Sequence, residues 1–252
     1  MDTKIGLITG GSRGLGKNTA IAMAAQGIDV ILTYHSQQAS AQAVLDEIEG
    51  MGRKAVALQL DVTDSRSFKA FADQVATTLK TSWGKAGFDY LINNAGTGIH
   101  APFAETTEEQ FDHMVNMHLK SAFFLTQKLL PLLNNGGRIV NISSGLARFA
   151  LPGYSAYAAM KGGIEVLTRF MAKELGARNI AVNTVAPGAI ETDFGDGLVR
   201  DNKDVNAYIA SQTALGRVGV PDDIGPMIAS LLSENNRWVN AQRIEVSGGM
   251  LI

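Results

Sequence analysis

The stretch Ile5–Gly16 has the sequence Ile-Gly-Leu-Ile-Thr-Gly-Gly-Ser-Arg-Gly-Leu-Gly, which joins an apolar run to a helical pattern. The run predicts a strand over Ile5–Thr9, and the pattern predicts a helix over Leu15–Gln26. Glycines between them permit a tight turn and let a pyrophosphate approach backbone N–H groups at the start of a helix. The glycines are Gly10, Gly14 and Gly16. Their spacing is one residue wider than the common dinucleotide fingerprint, and such a turn can be purely structural, but the strand–turn–helix context favours dinucleotide binding.

Short apolar runs alternate with longer amphipathic stretches along the rest of the chain. The runs that predict strands are Ile5–Thr9, Asp29–Thr33, Lys54–Gln59, Tyr90–Asn93, Gly137–Ile142, Ile180–Val185 and Arg243–Val246. The stretches that predict helices are Leu15–Gln26, Gln38–Met51, Asp64–Lys80, Glu108–Leu133, Ser155–Leu175 and Asp222–Leu232. This alternation is typical of parallel βαβ units. We therefore expect residues 1–252 to form a single α/β domain, with a doubly wound parallel sheet of about seven strands and helices on both faces.

The segment Thr192–Leu215 departs from this alternation. It is polar, contains several glycines and aspartates, and has only a weak helical pattern around Asn206–Ser211. A long insertion over the carboxyl edge of a parallel sheet is often a substrate lid, and we expect a lid over residues 192–215. The alternatives are a surface excursion and an oligomer contact.

Composition and charge exclude several classes of function. The 252 residues carry 22 basic and 24 acidic side chains without a basic run, so nucleic acid and anionic membrane surfaces are not expected partners. The absence of cysteine excludes disulfides, thiolate metal sites and cysteine nucleophiles. His100 and His113 have no second ligand at metal spacing, so no metal site is predicted. With no signal-peptide pattern and no membrane-spanning stretch, we expect a soluble, cytoplasmic protein.

Tyr157 and Lys161 stand four residues apart on a predicted helix, thirteen residues after Ser144. Positions i and i+4 share a helix face, so the Lys161 ammonium is expected beside the Tyr157 hydroxyl. A nearby cation lowers the pKa of a tyrosine from about 10, toward the range in which acid–base catalysis is efficient. Ser144 adds a second hydroxyl to hold the reacting oxygen. Tyr-x-x-x-Lys alone occurs by chance on many helices, but here it follows the glycine turn and the serine.

The end of the second predicted strand selects the dinucleotide. An acidic residue there would bind the ribose 2′-hydroxyl, whereas this chain has Thr33-Tyr34-His35-Ser36 and no carboxylate until Asp46. Without a carboxylate a 2′-phosphate is not repelled, and Arg13, with Ser36 or His35 as further donors, is available to bind it. We therefore favour NADP(H) over NAD(H). A solvated Arg13 is the alternative.

In this order, these motifs resemble those of the short-chain dehydrogenase/reductase family over essentially the whole chain. Thr9–Gly16 is similar to the family's cofactor turn, Asp61-Val62 to its adenine-binding pair, and Asn93–Gly96 to its Asn-Asn-Ala-Gly motif. Pro187-Gly188, with the residues that follow, resembles the segment that contacts the nicotinamide carboxamide. The residues that the resemblance and the turn assign to the cofactor are Gly10, Ser12, Arg13, Gly14, Leu15, Gly16, Ser36, Asp61, Val62, Asn93, Ala95, Gly96, Tyr157, Lys161, Pro187, Gly188, Ile190 and Thr192.

The resemblance implies a Rossmann sheet and hydride transfer between NADP(H) and a carbonyl or alcohol carbon of a small molecule. Tyr157 would donate a proton to the carbonyl oxygen in the reductive direction, and Ser144 would hydrogen-bond that oxygen. Lys161 would bind the nicotinamide ribose while lowering the pKa of Tyr157. The cofactor supplies the chemistry, and the protein supplies orientation and electrostatics. The tail Gln242–Met250 resembles the family's tetramer-forming end, which implies a homotetramer or homodimer.

His118 stands where many family members place a catalytic asparagine. Asn116 is no substitute, because two residues along a helix rotate a side chain by about 200°. Histidine donates and accepts hydrogen bonds and titrates near neutrality. We expect His118 to replace the asparagine in a proton relay from the lysine to solvent, with a steeper pH dependence. The alternative is that His118 only packs and that water follows another path.

Two other functions fit the same motifs. A non-catalytic protein that senses NADP(H) needs no acid, so the intact Ser144, Tyr157 and Lys161 argue against it. The second is a related enzyme such as an enoyl reductase or dehydratase, and the tyrosine–lysine spacing disfavours the enoyl reductases. The substrate pocket is expected from Phe149–Tyr154, Thr97–Phe103 and the lid. Arg148 could face the substrate, but a solvated side chain is the interpretation we favour. A neutral ketone, a 3-oxoacyl thioester, a sugar or a quinone would each fit there.

Overall fold

The computed structural model describes residues 3–252, and within them seven parallel strands form one sheet in the order β3-β2-β1-β4-β5-β6-β7. The strands are β1 (Ile5–Ile8), β2 (Asp29–Tyr34), β3 (Ala55–Gln59), β4 (Phe88–Asn93), β5 (Leu133–Ile142), β6 (Ala181–Pro187) and β7 (Arg243–Val246). The α-helices are α1 (Gly14–Ala25), α2 (Gln38–Gly50), α3 (Phe68–Thr78), α4 (Glu108–Met114), α5 (Ser121–Leu129), α6 (Ser155–Leu175), α7 (Leu198–Asp201), α8 (Lys203–Ser211) and α9 (Gly225–Leu231). The predicted doubly wound parallel sheet and its seven strands are confirmed.

Helices cover both faces of the sheet. Successive residues of a strand point to opposite sides, so each strand contributes side chains to both layers of helices. Leu7 of β1 belongs to an apolar cluster that also contains Phe68 of α3, Leu125 of α5 and a residue of α6. The next residue, Ile8, belongs to a second cluster with Met23 of α1 and residues of α2 and α9. Every residue of β1 is therefore buried, which explains why the strand sequences are apolar throughout rather than alternating.

Three predicted helices are less regular than their sequence patterns indicate. The helix predicted over Asp64–Lys80 begins with a 3₁₀ turn and ends in a π-helical turn at Leu79–Trp83. The one predicted over Glu108–Leu133 is divided by a π-helical turn at Val115–Lys120, which separates α4 from α5. The one predicted over Asp222–Leu232 narrows to α9 after a short 3₁₀ turn. A π-helical turn inserts an extra residue into the helix, and this shift in phase is too small to see in an apolar pattern.

The segment Thr192–Leu215 contains α7 and α8, although its sequence has only a weak helical pattern. Asn202 caps α8, since its side chain accepts hydrogen bonds from the backbone N–H groups of Asp204 and Val205. The end of the segment returns to the carboxyl terminus, where Thr213 pairs with Met250 in an antiparallel bridge. Its function as a lid stays a prediction.

The strand order reverses beside β1, whose carboxyl end lies next to that of β4. The glycine turn leaves β1 at this point, and the loop Asn93–Gly96 leaves β4. The Thr9 hydroxyl oxygen joins them, since it accepts hydrogen bonds from the backbone N–H groups of Asn94 and Ala95, both at 3.0 Å. Ligands of doubly wound sheets bind in the crevice at such a switch point, so the two predicted cofactor segments meet where the fold provides a crevice.

A chain of buried hydrogen bonds ties α6 to three neighbouring strands of the sheet, β4, β5 and β6. The Asn93 amide of β4 donates to Asn141 Oδ1 of β5 at 2.8 Å, and the Asn141 amide donates to Thr168 Oγ1 of α6 at 2.8 Å. The Thr184 hydroxyl of β6 donates to the same Thr168 Oγ1 at 2.7 Å. A buried polar group without a partner is costly, so these bonds fix α6 in one position against the sheet.

We expect Asn141→Ala to lower the free energy of unfolding by about 3 kcal/mol, because it removes two buried hydrogen bonds, to Asn93 and to Thr168, and opens a cavity. Urea denaturation at pH 7 measures this change. Asn235→Ala is the matched control at an exposed position, with an expected effect within about 0.5 kcal/mol. A loss below about 1 kcal/mol for Asn141→Ala would show that the chain does not anchor α6.

Candidate active site

The glycine turn has the backbone that a bound pyrophosphate requires. Gly10 and Gly14 have φ angles of +66° and +54°, a region that side chains with a Cβ rarely adopt. A Cβ on Gly16 would collide with the Gly10 carbonyl oxygen, so the turn closes only with glycine there. The side chain of Arg13, the residue before α1, does not cap the helix, which leaves its first N–H groups to a phosphate. These residues fit the pyrophosphate of a dinucleotide.

Two predicted cofactor segments flank the turn. A Cβ built on Gly10 would lie 3.0 Å from the Ala95 backbone, and one built on Gly14 would lie 3.7 Å from Thr192 Cβ. The segment with Thr192 starts where β6 ends, and Gly188 N–H donates to the Val246 carbonyl of β7 at 3.0 Å. The structure therefore brings together the turn, the Asn93–Gly96 loop and residues 187–192, with Ile190 held to Gly219 by a parallel bridge.

The residues predicted to select the dinucleotide lie at the open side of this crevice. His35 and Ser36 are exposed after β2, and Asp61 Oδ2 lies 3.8 Å from His35 Nε2. Asp61 Oδ1 accepts from the backbone and hydroxyl of Thr63 at 2.8 and 2.7 Å. Arg13 Nη1 lies 3.8 Å from Asp193 Oδ2 of the predicted lid, with 61% of its side chain exposed. Arg13 is therefore neither buried nor fully solvated.

Three other residues that were predicted to bind the cofactor are buried or half-buried. Val62 is buried in the apolar cluster of α3 and α5, and Leu15 packs against the cluster on the opposite face. Ser12 is half-buried within the turn.

Tyr157 and Lys161 are buried on the first turns of α6, and Ser144 is half-buried at the end of β5. Lys161 Nζ donates to the Ile142 carbonyl at 2.7 Å and lies 5.4 Å from the centre of the Tyr157 ring. The Tyr157 hydroxyl is hydrogen-bonded to Ser144. The structure thus brings the three predicted catalytic side chains together. The Lys161–Ile142 bond was not predicted, because a carbonyl acceptor has no signature in the sequence.

Burial changes the expected protonation of this group. It raises the pKa of the Tyr157 hydroxyl, and the hydrogen bond to Ser144 offsets only part of that increase. Burial also lowers the pKa of the Lys161 ammonium to about 7. The sequence predicted that Lys161 lowers the pKa of Tyr157. In the protein alone, desolvation of the Tyr157 hydroxyl raises its pKa by more than neighbouring groups lower it, so the tyrosine stays protonated at neutral pH.

His118 lies in the π-helical turn, against the ring of Tyr157. The two ring centres are 5.1 Å apart and nearly perpendicular. His118 Nε2 lies 2.7 Å from the Thr97 carbonyl oxygen, which can only accept, so the ring proton is on Nε2. A Cβ on Gly96 would lie 2.7 Å from the ring, so this glycine makes room for the histidine. His118 Nδ1 is buried and has no hydrogen-bond partner among the described residues.

The expected titration of His118 near neutrality is wrong. Burial, and secondly the charge of Lys161, lower its pKa to about 2. The ring is neutral at physiological pH, and it cannot steepen the pH dependence by its own ionisation. His118 and Lys161 do line a common cavity of about 10 Å³, together with Thr9 and Asn93. A cavity of that size holds about one water molecule.

Aromatic side chains form the outer wall of the cleft. Phe194 of the predicted lid is tilted against the Tyr157 ring, with ring centres 5.7 Å apart, and 43% of it is exposed. A Cβ on Gly98 would lie 2.9 Å from the Phe194 ring. His100 packs edge-on against Tyr154 at 5.0 Å. The three segments predicted to form the substrate pocket therefore meet, although the Phe194–Gly98 pairing was missed because it joins distant parts of the chain.

The sequence-based interpretation of Arg148 as a solvated side chain is wrong. Its guanidinium donates to Glu245 at 2.7 and 2.8 Å and to two backbone carbonyl groups of the carboxyl-terminal tail. Phe103, which was expected to line the pocket, is 84% exposed. The carboxylate partner of Arg148 is 97 residues away and leaves no local signal, so its contacts could not be assigned from the sequence.

Two further searches covered the described part of the chain. Residues 3–252 contain no group of three or more His, Asp or Glu side chains arranged to hold a metal ion. Over the same range, no helix has both the length and the apolar character needed to cross a membrane.

Comparison with known sequences supplies independent evidence. The family model described as enoyl-(acyl carrier protein) reductase matches residues 10–251. The hydroxynaphthalene reductase-like protein Arp2 of Metarhizium majus (strain ARSEF 297) is 36% identical over 258 residues, which cover 98% of this chain and 94% of that protein. The short-chain dehydrogenase/reductase FrzI of Cladobotryum sp is 36% identical over 255 residues, which cover 98% and 96%.

Solved structures match over the same extent. The reductase LugOII, described as catalysing keto-reduction at C1 during lugdunomycin biosynthesis, has a TM-score of 0.94 at 34% identity and covers 100% of this chain and 99% of its own. The landomycin C-6 ketoreductase LanV, solved with bound NADP and rabelomycin, has a TM-score of 0.89 at 33% identity, with coverage of 98% and 96%. A nicotinamide cofactor is therefore present in a structure that resembles this chain from end to end.

The neutral state of His118 predicts a pH-dependent stability. Between pH 6.5 and 2 the unfolded chain binds a proton on this ring and the native chain does not, so native stability falls as the pH falls. Between pH 7 and pH 5, the unfolding free energy of the parent should decrease by about 2 kcal/mol more than that of His118→Asn. Urea unfolding at pH 5, 6 and 7 measures the difference.

Lys161 is present in both proteins, so its own titration cancels to first order. His113→Asn, which removes an exposed histidine, is the matched control and should keep the full pH dependence of the parent. Parallel curves for the parent and His118→Asn would contradict a neutral, buried ring.

Proposed function

The chain belongs to the short-chain dehydrogenase/reductase family, and from this premise we propose that it is an NADPH-dependent ketoreductase acting on fused aromatic ketones. As a family member it is an NAD(P)-dependent oxidoreductase. The observation that carries the proposal is the contact of Tyr157 with Ser144 on one side and with the half-exposed Phe194 ring on the other. This arrangement supplies a proton donor next to an aromatic surface. We also propose that residues 1–252 act as one domain with residues 192–215 as its lid.

In this proposal Tyr157 is the general acid. The cofactor, when bound at the glycine turn, supplies the hydride for the carbonyl carbon. The Tyr157 hydroxyl donates its proton to the carbonyl oxygen, and Ser144 donates a hydrogen bond to the same oxygen. Burial keeps Tyr157 protonated until negative charge develops on that oxygen, which suits an acid in the reductive direction.

Lys161 and His118 serve proton return in this proposal. Lys161 has a pKa of about 7, so its Nζ can both hold and release a proton near neutrality. The neutral His118 offers Nδ1 as an acceptor beside the cavity that Lys161 also lines. A water molecule in that cavity would join the two side chains. His118 therefore acts as a fixed hydrogen-bond partner and not as an ionising group.

We propose NADP(H) rather than NAD(H) because of the residues that face the ribose. Exposed donors, His35 and Ser36, follow β2, and Arg13 extends over the turn with most of its side chain free. The Arg13 ion pair is long, at 3.8 Å, and Asp193 has a closer partner in Arg200 at 2.5 Å. Arg13 can therefore turn to a 2′-phosphate without leaving Asp193 unpaired. LanV binds NADP, which supports this choice.

The aromatic substrate class is supported by relatives and by the cleft. The relatives include a hydroxynaphthalene reductase-like protein and a ketoreductase solved with rabelomycin. In this chain Phe194, Tyr154 and His100 bring ring systems to the pocket segments, and aromatic rings pair favourably with such faces. A non-catalytic NADP(H) sensor has no support among these relatives, which are named as reductases.

A second candidate is an enoyl reductase, because the matching family model carries that description. Hydride is added to the carbonyl carbon of a ketone but to the C=C bond of an enoyl substrate. The hydroxyl groups of Tyr157 and Ser144 favour the ketone, because both can bond to a carbonyl oxygen that becomes negative. A panel with both classes separates the two. Turnover of a trans-2-enoyl thioester, without turnover of any ketone, would replace our proposal by this one.

The proposal is tested by following NADPH oxidation at 340 nm with a panel of aromatic ketones. We expect turnover by the parent, and a decrease in kcat on the order of 10³-fold in Tyr157→Phe, because the general acid is removed. The dissociation constant for NADPH, measured by fluorescence, should stay the same in this variant. Full activity of Tyr157→Phe would reject Tyr157 as the acid, and tight NADPH binding without turnover by the parent would favour the sensor.

The aromatic preference predicts a selective effect of Phe194→Leu. We compare 1-tetralone with 1-decalone, a saturated ketone of similar shape, because only the first can pair with the phenylalanine ring. The ratio of kcat/KM for the two should fall about 5-fold in Phe194→Leu, since an aromatic pair contributes about 1 kcal/mol. Tyr208→Leu, at an exposed aromatic residue of α8, is the control and should keep the ratio. Equal losses for both ketones would contradict aromatic recognition.

A further inference from the structure

Two arginines and two glutamates form a network around the end of β5, where Ser144 lies. Arg243 of β7 donates through Nε to Glu165 Oε1 of α6 and through Nη1 to Glu245 Oε2, both at 2.7 Å. Its Nη2 lies 3.4 Å from the Ser144 carbonyl oxygen. Charge-assisted bonds of this kind are about twice as strong as neutral ones. The network therefore holds the backbone of Ser144 between β7 and α6.

The same network extends to the helix turn of Lys161. The Ser143 hydroxyl donates to Glu165 Oε1 at 2.7 Å and lies 3.3 Å from the Lys161 carbonyl oxygen. Ser143 is buried, and Glu165 is one turn beyond Lys161 on α6. The residue before Ser144 is therefore fixed to the helix that carries the other two proposed catalytic side chains.

Arg148 connects the network to the carboxyl-terminal tail. Its Nε and Nη2 donate to Glu245 Oε2 and Oε1 at 2.8 and 2.7 Å. Nη2 also donates to the Met250 carbonyl at 2.7 Å, and Nη1 donates to the Leu251 carbonyl at 2.9 Å. One guanidinium thus makes four hydrogen bonds, two to a carboxylate and two to the tail backbone. Lysine has one nitrogen and cannot span these acceptors in the same geometry.

The tail in turn holds the base of the predicted lid. Leu251 N–H donates to the Gln212 carbonyl at 2.9 Å, and Ala214 N–H donates to the Gly249 carbonyl at 3.2 Å. These bonds flank the Thr213–Met250 bridge, and Met250 itself is buried. The backbone that ends the lid is therefore paired with the same residues whose carbonyl groups Arg148 binds.

We propose that Arg148 is a positioning residue that couples the lid base to the loop of Ser144 through the carboxyl-terminal tail. It acts through Glu245 and the tail carbonyl groups and does not touch the reacting atoms. A short 3₁₀ turn begins after Ser144 and ends at Arg148. Within this turn the Ser144 hydroxyl oxygen accepts a hydrogen bond from Leu146 N–H at 3.2 Å. A displacement of the tail is therefore passed to the serine hydroxyl. This coupling rests on the proposed function, since Ser144 and the lid belong to its site.

Arg148→Lys tests the coupling, because it keeps the charge and removes the four-bond geometry. With NADPH and an aromatic ketone, we expect kcat to fall about 10-fold and KM for the ketone to rise, since small displacements of positioned groups cost rate steeply. The dissociation constant for NADPH should change less than about 2-fold, because the glycine turn is not in the network. Glu245→Gln, which keeps the shape but loses the charge, should change kcat in the same direction.

Arg217→Lys is the matched control, because Arg217 forms a similar two-bond pair with Asp223 at 2.7 Å, and within residues 3–252 its other hydrogen bond goes to the Val218 carbonyl and not to the tail. It should leave kcat and KM for the ketone unchanged. A decrease in melting temperature for Arg148→Lys, with unchanged kcat and KM, would reduce Arg148 to a stabilising role and overturn the proposal.

Hydrogen–deuterium exchange makes the test independent of turnover. In Arg148→Lys, we expect faster exchange both in residues 145–149 and in residues 212–215, because the tail is bonded to both segments. Faster exchange confined to residues 145–149 would overturn the coupling. If the parent reduces no ketone, the proposed function fails, while the exchange experiment still decides whether the two segments are coupled.

Discussion

The geometry of the site depends on the hydrogen-bonded chain that joins Asn141 of β5 to Thr168 of α6. Apolar contacts between a helix and a sheet have no direction, so they bury the helix but tolerate sliding along its axis. A hydrogen bond tolerates only a few tenths of an ångström, and the 2.8 Å bond between these side chains therefore sets the axial position of α6. The bond from Lys161 to the Ile142 carbonyl, at 2.7 Å, ties the same helix to the next residue of the same strand. Two attachments to one strand leave α6 little freedom to move Tyr157.

Burial then determines which groups carry charge. It favours the uncharged form of all three titratable side chains, so it raises the pKa of Tyr157 and lowers those of His118 and Lys161. For His118 the result is about 2, which makes it a permanent neutral partner, whereas Lys161 at about 7 stays close to balance. A bound anionic dinucleotide would move Lys161 toward its protonated form. In this arrangement the lysine is the group whose charge responds to the occupant of the cleft.

The sequence predicted the features that depend on neighbouring residues. The strands, the glycine turn and the shared face of Tyr157 and Lys161 follow from local periodicity, and the strand–helix alternation gave the parallel sheet. It did not predict the charge of His118, because the burial that neutralises it comes from Gly96 and other distant segments. It also failed for Arg148, whose carboxylate partner lies 97 residues away.

The predicted lid over residues 192–215 is attached to the rest of the protein at both of its ends. At its start, Asp193 faces Arg13 of the cofactor turn and Phe194 packs on Tyr157. At its end, the backbone around Thr213 pairs with the tail. The two ends therefore contact the glycine turn, Tyr157 and the tail, whereas α7 and α8 between them have no buried residue. Substitutions in these two helices therefore perturb the core least. Under the proposed function, exchange of side chains there would vary the surface of the predicted lid and leave the Tyr157–Ser144 pair in place.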